Sequence, residues 1–275
     1  MKLLQTGPSP RGWHRLQLML ECPQKWSYRY NMDLEPSFPA AALTKGSMMH
    51  LALAHHYKRM QNKQQGKPEN EWLDPVLALH QSCQEEPGNQ EFLEMISEVY
   101  QQYTSRYRTE DLAWKIVAVE EMAYTTVKDE KTGKEHLLTG RFDLVVEDRQ
   151  GKIWVVDHKT TSRLSSAHAK FYAVSGQLLG YEYIARQIFG SQLGGIMLNL
   201  VQHTGSVKFV RLKISPRPFM SSQFSQTVID AETMIEDLTN SGRDHMKWPK
   251  AMNELTCYTR YGACPYIDHC KYGVP

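Results

Sequence analysis

The spacing of hydrophobic and polar positions along the chain first follows a helical period and later a strand period. Helices are predicted over residues 15–30, from Thr44 onward, over 75–84 and over 90–108. Pro23 predicts a break in the first of these helices. Residues 35–41, "EPSFPAA", indicate a linker, and the polar residues 61–74 indicate a loop.

From Trp114 the apolar positions alternate, and β-branched and aromatic residues become frequent. The strands are predicted over residues 114–127 and 137–146, in a hairpin over 139–162, and over 194–203 and 207–214. Helices are predicted over 175–189 and 221–240. This order of elements predicts an α/β fold class, with a central mixed β-sheet flanked by helices.

Composition restricts the class of protein only loosely. A chain of 275 residues that is 41% hydrophobic and 23% charged suits one large or two small globular domains. The formal net charge is +2, so a polyanionic partner would have to be held by a local patch. The first residues lack the apolar stretch of a signal peptide, and no run approaches the roughly 20 apolar residues of a membrane span. A cytoplasmic protein without membrane contact is therefore expected.

The hairpin over residues 139–162 carries charged side chains on otherwise apolar strands. Asp157 and Lys159 are two residues apart and project to one face of a strand. If the turn closes in its simplest register, Asp143 lies opposite Asp157. Two close carboxylates must share a proton or a cation, and Mg²⁺ and Mn²⁺ take oxygen ligands. With a lysine beside them, this set predicts metal-assisted phosphodiester hydrolysis. The alternative is a set of polar strand-end residues in which Lys159 forms a salt bridge with one aspartate.

Four short motifs extend this pattern. They are "GSMMH" (46–50), "GRFD" (140–143), "DHK" (157–159) and "QLLGY" (177–181). In this order they resemble the motifs of the PD-(D/E)xK nuclease superfamily, specifically the RecB-like branch that includes the AddB nuclease domain and the CRISPR-adaptation exonucleases. The resemblance covers about half of the chain and implies a restriction-endonuclease-like core.

The resemblance implies metal ligands at Asp143 and Asp157, with the carbonyl of His158 as a further oxygen. His50 would add an imidazole, which favours Mn²⁺ over Mg²⁺. The alternative for His50 is a helix histidine without a ligand role, like its neighbours at positions 55 and 56.

The remaining roles implied by the resemblance concern the reaction itself. Lys159 would be the catalytic lysine, and Gln177 and Tyr181, on one helix face, would line the site and contact the scissile strand. The alternative for Tyr181 is hydrophobic packing with its helical neighbours. Many members of the superfamily carry an acidic residue before the hairpin, and here Glu120 and Glu121 both fit that description.

The five cysteines, at positions 22, 83, 257, 264 and 270, form a second pattern. In a reducing compartment, metal or cluster ligation explains such a set better than disulfides. Cys83 lies on the apolar face of a predicted helix, where a thiol behaves as a small hydrophobe. The other four thiols could hold an iron–sulfur cluster or zinc.

In the RecB-like branch, an early cysteine followed by proline joins three late ones around a [4Fe-4S] cluster, which implies that Cys22, Cys257, Cys264 and Cys270 hold one here. The family commonly spaces the first late pair as CxxC, whereas this chain has intervals of six and five residues. The CxxC ribbons of structural zinc are also absent, so zinc is the less favoured metal, and His269 is a minor alternative ligand. The cluster would join residues 1–45 and 241–275 into an iron–sulfur-stapled helical part beside a nuclease core at 46–240.

The function predicted from these patterns is that of a metal-dependent DNA exonuclease. It would hydrolyse phosphodiester bonds, and the resemblance implies that it acts at single-stranded DNA ends, in recombination, repair or CRISPR-type DNA processing. One alternative is a DNA-end-binding subunit, with little activity alone, that works with a helicase or integrase-type partner. Another is a zinc-stabilised binding module without chemistry.

Overall fold

The computed structural model describes residues 2–4, 6–35, 41–214, 218–259 and 262–273 of the chain. The helices are α1 (Trp13–Glu21), α2 (Pro23–Tyr30), α3 (Ala41–Gln64), α4 (Pro75–Glu85), α5 (Leu93–Asp111), α6 (Ala167–Tyr172), α7 (Gly176–Phe189), α8 (Pro218–Asn240), α9 (Glu254–Cys257) and α10 (Ile267–Tyr272). The strands are β1 (Lys115–Lys128), β2 (Glu135–Glu147), β3 (Ile153–Thr161), β4 (Leu193–Gln202), β5 (Lys208–Ile214), β6 (Tyr258–Thr259) and β7 (Gly262–Ala263).

The first five strands form one mixed sheet in the order β1-β2-β3-β4-β5. The pairs β1–β2, β2–β3 and β4–β5 are antiparallel, whereas β3 and β4 are parallel. Parallel strands need a long crossover connection, and here α6 and α7 provide it. The predicted central mixed sheet flanked by helices is confirmed.

Helices cover both faces of the sheet, because successive strand residues point to opposite sides. Val145 and Val155 pack on one face with α1, α7 and α8. Val146 and Val156 pack on the other face with α3, α4 and α5. Burial on both sides explains why the central strands read as nearly continuous apolar runs.

Several helix boundaries differ from those predicted. The helix predicted from Thr44 onward is observed at Ala41–Gln64. The loop predicted over residues 61–74 therefore begins only after Gln64. Within the linker predicted over 35–41, residues 36–40 lie outside the described part of the chain. The short helices α6, α9 and α10 were not predicted, because none of them contains a buried residue and so none has an apolar stripe.

The N-terminal helices pack directly on the core of the sheet. The predicted break at Pro23 is confirmed, since α1 ends at Glu21 and proline begins α2. Leu16 and Met19 of α1 are fully buried in the same hydrophobic cluster as the central strands. The predicted domain boundary after residue 45 falls within α3. Across the helices of the described residues, none combines the length and the apolar character that a membrane crossing requires.

Candidate active site

Two motif glycines mark places where helices come very close to the sheet. A Cβ atom at Gly46 in α3 would lie 3.3 Å from the Thr160 side chain on β3. A Cβ atom at Gly140 in β2 would lie 3.0 Å from Ile184 and 3.3 Å from Tyr181, both on α7. A side chain at either position would therefore have to displace Thr160 in the first case, or Ile184 and Tyr181 in the second.

The two aspartates face each other across the β2–β3 hairpin, as predicted. Leu144 pairs with Val156 in this ladder, and the next step along the same register brings Asp143 opposite Asp157. Both residues are buried, Asp157 completely. The carboxylates therefore lie on the same side of the sheet, at the end of the paired part of the hairpin.

Lys159 is held between the hairpin and α7. Its Nζ donates to Asp157 Oδ1 at 3.0 Å and to Gln177 Oε1 at 3.0 Å. Gln177 in turn donates through Nε2 to the hydroxyl of Tyr181 at 3.1 Å. We call Asp157, Lys159, Gln177 and Tyr181 the lysine cluster. The salt bridge of the alternative interpretation is therefore present, but within a larger set. Tyr181 also packs edge-on against Phe142.

His50 reaches the same region from α3, on the side of Asp143. Its Nε2 lies 2.6 Å from the carbonyl oxygen of His158, and since a carbonyl can only accept, Nε2 carries the hydrogen. The other ring nitrogen, Nδ1, lies 3.5 Å from Asp143 Oδ2, and in a neutral imidazole whose hydrogen is on Nε2 it is an acceptor. Two acceptors that face each other in this way require a proton or a cation between them.

Glu120 completes this acceptor set. Ligand atoms of His50, Glu120 and Asp143 all lie within 4.8 Å of one another. Among the described residues, no other group of three or more His, Cys, Asp or Glu side chains is as close as this. We call these three residues the acceptor group. Glu120 has a φ of +50°, a conformation that is uncommon for a non-glycine residue and is often found at functional sites. Its neighbour Glu121 is exposed, so Glu120 is the acidic residue that reaches the site.

The electrostatics of these residues suit a divalent cation. Burial, together with the charge of Asp143, raises the pKa of Glu120 to about 9. Burial raises the pKa of Asp157 to about 6, although Lys159 opposes the shift, and Asp157 Oδ2 is buried without a hydrogen-bond partner among the described residues. Burial alone would lower the pKa of Lys159, but the charges of Asp157 and Asp143 outweigh it and the pKa is raised. The ionised forms of these carboxyl groups are therefore disfavoured without a cation, and a bound cation would stabilise them.

The acceptor group opens into a cleft of about 310 Å³. This cleft is lined by the acceptor group, by Gln177 and Tyr181, and by residues from the N-terminal segment 7–17. Arg11 ties this segment to β2 through a 2.9 Å hydrogen bond from its backbone N–H to Thr139 Oγ1. The indole of Trp13 lies against the backbone of Gly176, at the start of α7.

Two of the predicted metal ligands have other polar partners in the structure. Asp157, predicted as a ligand beside His50 and Asp143, lies outside the acceptor group and accepts a hydrogen bond from Lys159 through Oδ1. The carbonyl of His158, predicted as a further ligand, accepts a hydrogen bond from His50. Sequence reasoning also missed Asn199, which is fully buried and bonds the His158 ring. Its only signal in the sequence is an amide within an apolar strand.

The four cysteines predicted as cluster ligands come from the two ends of the chain. Cys22 is buried at the junction of α1 and α2. Burial raises the pKa of Cys264, and the nearby thiols of Cys270 and Cys22 act in the same direction. The fourth cysteine, Cys257, is connected to Cys264 through the backbone. Its carbonyl accepts a hydrogen bond from the Cys264 N–H at 2.7 Å. Cys83 is elsewhere, buried in the hydrophobic cluster of α3, α4 and α5.

Comparison with known proteins identifies the family. Residues 13–271 match the PD-(D/E)XK nuclease superfamily, and the chain therefore belongs to this superfamily of nucleases, which use divalent metal ions. The match spans the acceptor group, the lysine cluster and the C-terminal cysteines. No curated protein matches the chain.

Two solved structures are similar to the chain at low identity. The structure named SSO0001 is 10% identical, covering 81% of this chain and 87% of its own, with a TM-score of 0.34. A "Putative exonuclease" from Eubacterium rectale is 12% identical, covering 94% of this chain and 92% of its own, with a TM-score of 0.48. Likenesses this distant do not bear on the activity of this chain.

Proposed function

We propose that the protein is a metal-dependent DNA exonuclease that acts on single-stranded ends. The observation that carries the proposal is the meeting, in one cleft, of the acceptor group with the lysine cluster. A divalent ion bound there would act as a Lewis acid on the phosphodiester and would lower the pKa of a water nucleophile.

The residues of the chain have distinct parts in this proposal. His50, Glu120 and Asp143 supply one nitrogen and carboxylate oxygens, a donor set that suits Mn²⁺ as well as Mg²⁺. Asp157, opposite Asp143, adds its unpartnered Oδ2 to the same negative region. The raised pKa of Lys159 keeps its ammonium charged, so that it can hold an attacking water or a phosphoryl oxygen.

Gln177 and Tyr181 orient this lysine and contact the scissile strand. Gln177 Oε1 fixes Lys159 Nζ at 3.0 Å from the α7 side. Burial, with the charges of Asp143 and Asp157, raises the pKa of Tyr181 well above its usual value, so its hydroxyl remains a hydrogen-bond donor. A donor at this position can bind a phosphate oxygen of the substrate.

The shape of the cleft supports a single-stranded substrate. Its volume of about 310 Å³ lies at the lower end of the roughly 300–1,000 Å³ typical of small-molecule sites. The N-terminal segment, fixed to β2 at Thr139, lines this cleft together with the acceptor group. A flexible single strand can enter such a cleft one nucleotide at a time.

Digestion of labelled DNA tests the proposal. Linear and circular single strands and linear duplex are compared, with Mn²⁺, with Mg²⁺ and with chelator, and the label position reports polarity. We expect cleavage of linear single strands only with metal, and a loss of at least about a hundredfold in Asp157→Ala and Lys159→Ala. Lys131→Ala, an exposed lysine in the β1–β2 turn, is the matched control and should retain full activity.

Two results would refute this function. Full activity in Asp157→Ala or Lys159→Ala would show that the lysine cluster is not the reaction centre. DNA-end binding without cleavage by the wild-type chain would instead favour the alternative role as a subunit of a recombination or spacer-acquisition complex, with a helicase or integrase-type partner.

We further propose that Cys22, Cys257, Cys264 and Cys270 hold a [4Fe-4S] cluster that joins residues 1–45 and 241–275 beside a core at 46–240. A single zinc ion binds sulfur at about 2.3 Å, so its thiolates must lie close together. No three of the described thiols lie within 4.8 Å of one another, although Cys22, Cys264 and Cys270 are neighbours. In a [4Fe-4S] cluster each cysteine binds a different iron, so its thiolates need not lie as close together as those around one zinc ion.

Metal analysis of anaerobically purified protein tests this second proposal. We expect a brown protein with iron and acid-labile sulfide, and loss of both in Cys264→Ser but not in Cys83→Ala. Zinc in place of iron would refute the cluster.

A further inference from the structure

The opposite face of the sheet carries a buried polar network that ends at His158, beneath the acceptor group. Its members come from α3, α5, β3, β4 and β5, and they are Tyr57, Tyr103, Asp111, His158, Asn199 and Arg211. All lie in a region that is otherwise hydrophobic. Buried polar groups require partners, and the sequence offers no catalytic role for this set.

The hydrogen bonds of the network run in one direction. The Asn199 amide nitrogen donates to the Tyr103 hydroxyl at 3.0 Å, and Arg211 Nη2 donates to the same oxygen at 2.8 Å. The single hydroxyl hydrogen of Tyr57 is used in a bond to Asp111, so the 2.8 Å bond between the two tyrosine hydroxyls is donated by Tyr103. Tyr57 then donates to Asp111 Oδ2 at 2.9 Å.

This direction fixes the orientation of the Asn199 amide. Its nitrogen must face Tyr103, because the Tyr103 hydrogen is already committed to Tyr57. The second amide hydrogen therefore points to His158 Nδ1, at 2.7 Å. The ring of Tyr57 lies parallel to the His158 ring, with 5.8 Å between centroids and 7° between planes. The imidazole of His158 is thus held both by its edge and by its face.

The backbone of His158 orients two members of the acceptor group. Its N–H donates to Asp143 Oδ2 at 2.8 Å, and its carbonyl accepts from His50 Nε2 at 2.6 Å. The second of these bonds fixes the orientation of the His50 ring, whose Nδ1 lies 3.5 Å from Asp143 Oδ2. A rotation of the peptide groups around residue 158 would therefore disturb Asp143 and His50 together.

We infer that Asn199 is a positioning residue of the proposed metal site, which acts by holding the His158 ring and thereby the peptide groups that orient Asp143 and His50. This inference rests on the proposed metal site. Residues that orient metal ligands through hydrogen bonds typically change metal affinity or activity by about 10–100-fold when they are mutated. The network also joins the site to both α3 and α5, because Tyr57 and Tyr103 belong to it.

The test is isothermal titration calorimetry, in which Mn²⁺ alone is added to the metal-free full chain. Thermal unfolding of each variant is measured in parallel to verify that it folds. Asn199→Leu removes both amide hydrogen bonds at nearly constant volume. His158→Phe keeps a flat ring on Tyr57 and keeps the backbone, but it removes the Nδ1 acceptor, and it serves if the first variant does not fold. We expect both to bind Mn²⁺ about 10–100-fold more weakly than wild type.

Asn62→Leu is the matched control. Asn62 is also buried and its amide nitrogen also makes two hydrogen bonds, to the Pro68 carbonyl and to Glu71. It lies twelve residues after His50 on α3, or about 18 Å along the helix. We expect this variant to lose stability while its affinity for Mn²⁺ stays within about twofold of wild type.

The cleavage assay supplies a second measurement. Excess Mn²⁺ should restore much of the activity of Asn199→Leu at a temperature at which thermal unfolding shows the metal-free variant to be folded already, so that the rescue reports metal binding and not refolding. Wild-type affinity in folded Asn199→Leu and His158→Phe, or an equal loss in Asn62→Leu, would overturn the inference. Wild-type protein that binds Mn²⁺ without cleaving DNA would refute the proposed function, while weakened binding in the variants would still support the role of Asn199.

Discussion

At the scale of single residues, Glu120 combines an unusual backbone conformation with an unusual acidity. Its φ is +50°. On either side of it along β1, Val119 pairs with Leu144 of β2, and Glu121 pairs with Phe142 of β2. Asp143, from the neighbouring strand, is its closest charged companion in the acceptor group. A strained residue that holds a carboxylate against another carboxylate is expected where a cation binds.

The acidity of Glu120 predicts how the stability of the metal-free protein depends on pH. Burial and Asp143 raise its pKa from 4.5 to about 9 in the folded state. The folded state therefore binds more protons than the unfolded state between these values, and stability falls as pH rises through that window. Glu120→Gln should be more stable than wild type near pH 8, by on the order of 1–3 kcal/mol, with no difference near pH 4.

Urea unfolding in the presence of chelator, at several pH values, measures this difference. Glu121→Gln is the control, because Glu121 is exposed and its charge should not affect folding in this way. An equal gain in the Glu121 variant, or a Glu120→Gln variant whose advantage does not grow with pH, would contradict the assignment of Glu120 to the site.

The sequence allowed some of these residues to be predicted, but not others. Asp143 could be placed opposite Asp157 because an antiparallel hairpin has a register set by its turn. Glu120 and Glu121 could not be told apart, because the positive φ at residue 120 is not visible in the sequence. Asn199 was not predicted because its partners come from distant elements, and one amide in an apolar strand has no periodic signal.

At the scale of helices and strands, the start of α7 depends on its contact with α1. Gly176 is the first residue of α7, and a Cβ atom there would meet the Trp13 ring at 2.0 Å. The next residue, Gln177, holds Lys159. The position of the catalytic lysine proposed here is thus linked to the packing of the N-terminal helix.

Gly176→Ala should reduce kcat more than it raises KM. The added methyl group must displace the Trp13 ring or the first turn of α7, and a shift of about 1 Å at reacting groups can lower a rate by about a hundredfold. Steady-state kinetics on linear single-stranded DNA would measure kcat and KM separately, and circular dichroism would verify that the variant is folded.

Gly88→Ala is the control for this prediction, because a Cβ atom at Gly88 has no neighbouring atom within 4 Å. It should behave as wild type. If Gly176→Ala retained full kcat, α1 would have no part in positioning Gln177.

Long elements were predicted from the sequence better than short ones. The helix predicted over residues 175–189 is observed at Gly176–Phe189, because its apolar face repeats over several turns. The six residues of α6 were missed, since none of them is buried. Such a segment is fixed by its chain neighbours and not by its own pattern.

At the scale of the whole molecule, the two ends of the chain meet beside the core. The side chains of Gln24 and Ser27 in α2 both donate to the carbonyl of His245. Trp26 stacks on Trp248, with 5.4 Å between centroids and 5° between planes. The element order was sufficient to predict the sheet, whereas the meeting of the termini was suggested only by the cysteines. The cleft wall formed by the N-terminal segment was not predicted, because it depends on hydrogen bonds between its backbone and Thr139.

Loss of the proposed cluster should therefore lower the stability of the whole fold. Linking residues 22 and 257 closes a loop of 235 residues, and the loop-closure estimate for that length is about 5 kcal/mol. For a chain of this size, that corresponds to a fall of roughly 10–20 °C in Tm. Cys264→Ser, which keeps the size of the side chain, should show this fall together with the loss of colour.

The comparison with Cys83→Ala separates a linking role from ordinary burial. Cys83 is buried among apolar side chains, so its replacement by alanine should lower Tm by only a few degrees and leave the colour unchanged. Because α1 forms one wall of the cleft, Cys264→Ser should also lose nuclease activity at temperatures where the sheet is still folded. Equal falls in Tm for the two variants, or an unchanged Tm in Cys264→Ser, would mean that the termini are held by packing alone.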